Sequence, residues 1–130
     1  MDKTQILSAF NDHFVQFVED VQMVFPDNVD IATFRGALTK IRKANPRLVI
    51  TAFKEHVSGV YREEIEKGNI TFFIDTDYQS YLAEKGVQGS NMILEKIDCL
   101  RGPVRNMNNE DQQKVMKYLQ NLTKLSDMYM

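Results

Sequence analysis

The sequence holds a single cysteine, Cys99, so no disulfide can form within the chain. Such usage suits a reducing compartment. Cys99 falls among Ile93, Leu94, Ile97 and Leu100, and that setting predicts buried apolar filler rather than a reactive thiol. No apolar stretch approaches the roughly 18 residues that a membrane helix needs. The first residues lack a basic segment followed by an apolar run, so no secretory leader is expected. The sequons at Asn69 and Asn121 are then expected to be silent, because an unexported chain never meets the glycosylation machinery.

Catalytic and metal-binding residue sets are equally sparse. There are two histidines, His13 and His56, too few to supply the three or four ligands of a zinc site. Asp75 and Asp77 open like a calcium loop, but Ser80 and Gly86 stand where that loop needs glycine and a bidentate glutamate. The sequence offers no glycine-rich phosphate loop, no Ser-His-Asp set and no Cys-His pair. Glu63, Glu64 and Glu66 cluster near a helix end and suit a solvated face. No catalytic, cofactor or metal residues are assigned, and an enzyme is not expected.

One further absence concerns charge. From Ala32 to Lys54 there is no acid, yet six cations: Arg35, Lys40, Arg42, Lys43, Arg47 and Lys54. The flanks are opposite, with one cation against six acids over 1–31 and three against seven over 55–85. The whole chain sums to −2, so its charge is sorted into blocks. Such a map can dock onto an acidic partner or another copy of the chain, or bind nucleic acid through the basic face. A pI near 5.7 and the lack of free aromatic residues in the block weigh against nucleic acid. A plain solvated face is the bland alternative.

Hydrophobic spacing predicts helices throughout. Ile6, Phe10, Phe14, Phe17, Val21 and Val24 recur at three or four residues, widened by Leu7, Val18 and Phe25, and Pro26 ends the run. A second helix is expected to open on Asp30 as its N-cap and bury Ile31, Phe34, Leu38 and Ile41. Asn45-Pro46 reads as N-cap and first helical residue of a third. That helix carries Val49, Phe53, Val57, Val60, Tyr61 and Ile65 to a left-handed Gly68. Gly59 interrupts it, at about 1 kcal/mol relative to alanine, and suggests a close helix crossing.

Ile70 to Ile74 reads as a helical turn or an irregular packed segment, within a short irregular stretch around 69–76. Asp75 to Leu82 can form a short helix with Tyr78 and Tyr81, and Gly86 and Gly89 mark a loop. A helix from Ser90 turns Ile93, Ile97 and Leu100 inward until Gly102-Pro103 breaks or kinks it. Val104 and Met107 continue its period. Asn109 with Gln112 suggests a capping box for a last helix burying Val115, Leu119, Leu122 and Leu125. The expected fold is one all-α domain over 1–130, a compact bundle of five or six helices.

Three stretches have a family texture: Phe10 to Val21 with Phe25-Pro26-Asp27, then Ile41 to Pro46, then Gln112 to Leu125. Together they resemble the small helical virion-associated proteins of large icosahedral DNA viruses of algae. The resemblance spans nearly the whole chain and includes no motif diagnostic of a chemistry. It implies a minor capsid protein in the virion, assembled in host cytoplasm, that bridges neighbouring shell proteins without catalysing a reaction or needing a cofactor. On that reading Arg35, Arg42, Lys43 and Arg47 are the expected docking residues, with Met128, Tyr129 and Met130 as an apolar contact. Capsid or other shell proteins are the expected partners, with self-association as a further option. The alternatives are a nucleic-acid-associated protein using 32–54 and an intracellular interaction adaptor.

Overall fold

The computed structural model describes residues 2–75 and 98–129, an all-α bundle with no strand among them. Helix α1, Lys3–Val24, starts on a reciprocal capping box. Asp2 accepts a hydrogen bond from the Gln5 backbone N–H at 2.8 Å, and the Gln5 side chain accepts one from the Asp2 N–H at 3.0 Å. Its expected stripe is buried from Ile6 to Val21, but Val24 is 42% exposed because the chain turns away there.

Helix α2, Val29–Ala44, is capped by Asn28 rather than by the expected Asp30. The Asn28 backbone is extended and its side-chain oxygen accepts from Ile31 N–H at 3.1 Å. Asp30 instead lies inside the first turn, where its charge still suits the helix dipole. Ile31, Phe34 and Leu38 are buried as expected, and Ile41 is half-buried.

Helix α3, Leu48–Phe53, begins two residues later than Asn45-Pro46 suggests. The Asn45 N–H closes α2 on Ile41 O, while its side chain accepts from Arg47 N–H at 3.3 Å. Asn45 is therefore the hinge between two helices, and Pro46 lies in the turn. The helical path continues through a π turn, Lys54–Ser58, into α4, Gly59–Lys67, which ends on left-handed Gly68 with φ +75°.

The expected face of that long helix holds at Val49, Phe53, Val57 and Ile65, while Val60 is 47% exposed. A π turn inserts a residue, and Tyr61 just beyond it leaves helical geometry at φ −113° and ψ 25°, so Val60 turns outward between the two breaks while Ile65 regains the buried face. Gly59 answers to the same turn and not to a helix crossing. A Cβ there would stand 2.6 Å from the Lys54 carbonyl oxygen of its own helix.

Helix α5, Thr71–Asp75, buries Phe72 and Phe73, resolving the ambiguous run in favour of one helical turn. The expected helix of 75–82, the glycine loop and the body of the helix from Ser90 lie outside the described residues. Leu100 is buried, and Cys99 packs half-buried against the core. Helix α6, Arg101–Arg105, accepts Gly102 and Pro103 because both lie in its first turn, where the missing proline N–H has no partner to lose. Helix α7, Asn109–Met128, is capped by Asn108, one residue before the expected start. Asn108 accepts from Asp111 N–H at 2.8 Å, and Gln112 instead reaches back to donate to Val104 O at 3.0 Å.

Helix α1 is the hub, packed most extensively on α7 and next on α2. Its phenylalanines order the core. Phe10 meets Phe53 edge-on at 5.6 Å, Phe14 meets Phe34 edge-on at 6.1 Å, and Phe17 stacks on Tyr118 at 5.5 Å. Each such pair contributes about 0.5–1.5 kcal/mol beyond its buried area. No helix among the described residues is long and apolar enough to cross a membrane.

Candidate functional site

The basic block of 32–54 divides into two groups once folded. Arg35 pairs with Glu19 of α1 at 3.3 Å. Arg42 pairs with Asp12 at 2.5 Å and also donates to Ser8 Oγ at 3.2 Å. Lys54 turns its Nζ to the Ser126 carbonyl at 3.3 Å, close to the C-terminal end of α7, where a cation is favoured. All three cations have partners inside the fold, and the Arg35 pair is exposed on both sides. Lys40, Lys43 and Arg47 are exposed and make no ion pair among the described residues. Lys40 and Lys43 stand three residues apart on α2, a spacing that makes them neighbours on one helix face. Arg47 follows in the turn after α2.

The two arginine pairs have a readable basis. Glu19 and Asp12 lie seven residues apart on α1, and Arg35 and Arg42 lie seven apart on α2 in the opposite order. Seven residues is nearly two helical turns, so an antiparallel pair of helices brings both couples together. Of the other expected contacts, Met128 is 52% exposed and Tyr129 is half-buried against the core. Met130 lies outside the described residues. Among the acids expected on a solvated face, Glu63 and Glu66 are exposed, while Glu64 accepts from Asn69 at 2.7 Å.

A second polar constellation sits between α1 and α7. His13, Gln16 and Asp20 from α1 face Lys114, Lys117, Tyr118 and Asn121 from α7 across a groove of about 270 Å³. The Tyr118 hydroxyl donates to the Asp20 carboxylate. Burial, then that hydrogen bond and the Asp20 charge, push the Tyr118 phenol well above its usual range. The His13 ring tilts over Tyr118 with centroids 4.8 Å apart. His13 Nε2 is buried without a hydrogen-bond partner, and burial lowers its pKa, which favours the neutral imidazole.

Sequence spacing missed this groove because its residues come from opposite ends of the chain. The available signal was limited to one helix: Asp20 falls seven residues after His13 on α1, while Lys117 and Tyr118 lie about a hundred residues away. His56, by contrast, is buried in the π turn with Glu55 3.8 Å away. No group of three or more His, Cys, Asp or Glu side chains among the described residues is arranged to hold a metal ion. In comparisons with known proteins, no family model matches this chain, and neither does any curated protein or solved structure.

Proposed function

We propose that this chain is a structural, non-catalytic minor capsid or virion-associated subunit that cements neighbouring shell proteins by charge and shape complementarity. The observation that carries the reading is the trio Lys40, Lys43 and Arg47, which make no ion pair among the described residues, while internal acids take Arg35 and Arg42. Exposed cations grouped without local counter-charges steer association with an acidic surface and fix its orientation. Arg35 joins them on demand: its side chain is 50% exposed, and a surface pair of this kind is worth only about 0–1 kcal/mol. Exchanging Glu19 for a partner carboxylate therefore costs little. Met128 supplies an exposed apolar contact beside this charge-led docking.

Cross-linking with mass spectrometry on purified particles tests the reading. Near-stoichiometric presence, with cross-links from Lys40 and Lys43 to a shell protein, supports it. The triple reversal K40E/K43E/R47E should then be lost from particles while its unfolding midpoint stays at the wild-type value. Normal incorporation of that variant rules out the docking trio. Cross-links to the genome alone, with DNA binding that weakens steeply with salt, would replace this reading by the nucleic-acid one.

A further inference from the structure

We propose that His13 is an acid-sensitive latch between α1 and α7: its neutral ring packs the two helices together, and its protonation loosens them. The argument starts from one atom. His13 Nε2 is buried where α1 meets α7, closed to water and without a hydrogen-bond partner. An imidazolium carries a proton on both nitrogens. Whichever tautomer the neutral ring adopts, protonation therefore leaves a charged N–H at Nε2 with no acceptor. Burying such a group costs far more than burying a neutral nitrogen.

The surrounding groups do not offset that cost. On α7, Lys114 and Lys117 line the same groove and oppose a further positive charge. Asp20 of α1 is the one carboxylate in the lining, and it is engaged by the Tyr118 hydroxyl. Asp12, next to His13 in the chain, and Glu19 are taken by Arg42 and Arg35 of α2. Helix α3 meets α1 through an uncharged ring pair, Phe53 on Phe10. The lowering of the His13 pKa by burial is the direction these surroundings require.

The same ring carries packing. It tilts over Tyr118 of α7 at 4.8 Å, and Tyr118 stacks in turn on Phe17 of α1 at 5.5 Å. A charged His13 reaches water only by turning away from Tyr118, which gives up that contact in the most extensive helix pairing of the fold. The far end of α7 stays tethered, Ser126 by Lys54 and Asp127 by Arg62, so the release is local. Its pH sense follows from linkage. The unfolded chain takes up the proton first, so the stability held above the ordinary value of 6.5 is lost as pH falls toward the folded value. The latch operates whatever the exposed cations dock against.

An NMR titration of the wild-type protein gives the first test. The assigned His13 ring should titrate below 6.5, and a midpoint at or above that value overturns the proposal. Hydrogen exchange on the same protein and on His13→Phe, which keeps a ring against Tyr118 and cannot be protonated, gives the second. The α7 amides facing α1 should be less protected in the wild type than in the variant at about pH 5, relative to their ratio at about pH 7.5. The urea midpoint of the wild type should likewise fall further than that of the variant over this range. His56 is present in both proteins, so their difference isolates His13. Parallel pH profiles in the two proteins overturn the latch, and the wild-type titration decides the matter even where the variant fails to fold.

Discussion

Replacing Gly59 by alanine should destabilise this protein, although the same change normally strengthens a helix. An interior glycine costs about 1 kcal/mol relative to alanine, so propensity alone predicts a gain. Packing predicts the reverse. The new Cβ would stand 2.6 Å from the Lys54 carbonyl oxygen, well inside van der Waals contact. That oxygen cannot simply swing aside, because it accepts the Gly59 N–H in the π turn and the Ser58 hydroxyl at 3.5 Å. Relief requires either a backbone shift or loss of the π turn. Losing it would rotate buried His56, Val57 and Ser58 relative to the core and pull Lys54 from the Ser126 carbonyl.

Overpacking of this kind costs about 1–3 kcal/mol, so subtracting the propensity gain leaves a net loss of about 1 kcal/mol. Gly36 provides the internal control: it lies in α2 with nothing within 4 Å of the added Cβ. Gly36→Ala should therefore stabilise by about 0.5–1 kcal/mol. Urea unfolding followed by circular dichroism should move the two midpoints in opposite directions at unchanged slope. A Gly59→Ala protein as stable as Gly36→Ala would refute the reasoning, because the carbonyl would then offer no resistance.

Other consequences follow from the caps, the ion pairs and the half-buried phenol of Tyr118. Asn28→Ala should cost about 1 kcal/mol in urea unfolding, whereas Asp30→Ala should stay within about 0.5 kcal/mol, because only Asn28 caps α2. Arg62 holds Asp127 through two hydrogen bonds of 2.7 Å, which lower the Asp127 pKa from 3.8. A lowered carboxylate pKa adds stability above the unfolded value and loses it as pH falls through the folded value. A double-mutant cycle with Arg62→Met and Asp127→Asn should thus give about 0.5–1 kcal/mol at neutral pH, discounted for exposure, and nothing once the carboxyl is protonated. Tyr118 should ionise above the usual tyrosine range in an absorbance titration, and Asp20→Asn should bring it down. Because its folded pKa is raised, its share of stability is full below about 10 and declines as pH rises beyond that.

Much of the fold was legible because burial repeats with the helix period. The α1 stripe from Ile6 to Val21 and the left-handed Gly68 needed only spacing and glycine chemistry. Helix starts were displaced by one or two residues because several capping residues sit side by side. Asn28 and Asp30 are both good caps, and so are Asn108 and Asn109 in sequence terms. Only the backbone decides which one is extended with a free oxygen over the first turn. The π turn was invisible for a different reason: its extra residue and the kink at Tyr61 leave no mark on the apolar spacing, which runs on to Ile65. Val60 fell on the wrong side of that insertion. The basic block was visible as composition, but the partners of its arginines lie in α1, and the groove at His13 joins residues about a hundred positions apart.

The matched seven-residue spacing of the α1 acids and α2 arginines bears directly on how docking can be measured. Arg42 is held by both Asp12 and Ser8, and its side chain is 35% exposed. Reversing it would set two like charges where an ion pair stood, so a loss of binding would mix partner contact with helix packing. Lys43 and Arg47 carry no such internal duty among the described residues. Reversing them changes the field that a partner meets without opposing a local charge. Glu19 also explains why Arg35 belongs between these cases: its pair is exposed on both sides and weak enough to be traded. The cations of α2 and the following turn thus differ in kind: Arg42 is fixed, Arg35 is loosely held, and Lys40, Lys43 and Arg47 make no ion pair among the described residues. On the proposed reading, docking draws its strength from the residues that α1 leaves unpaired.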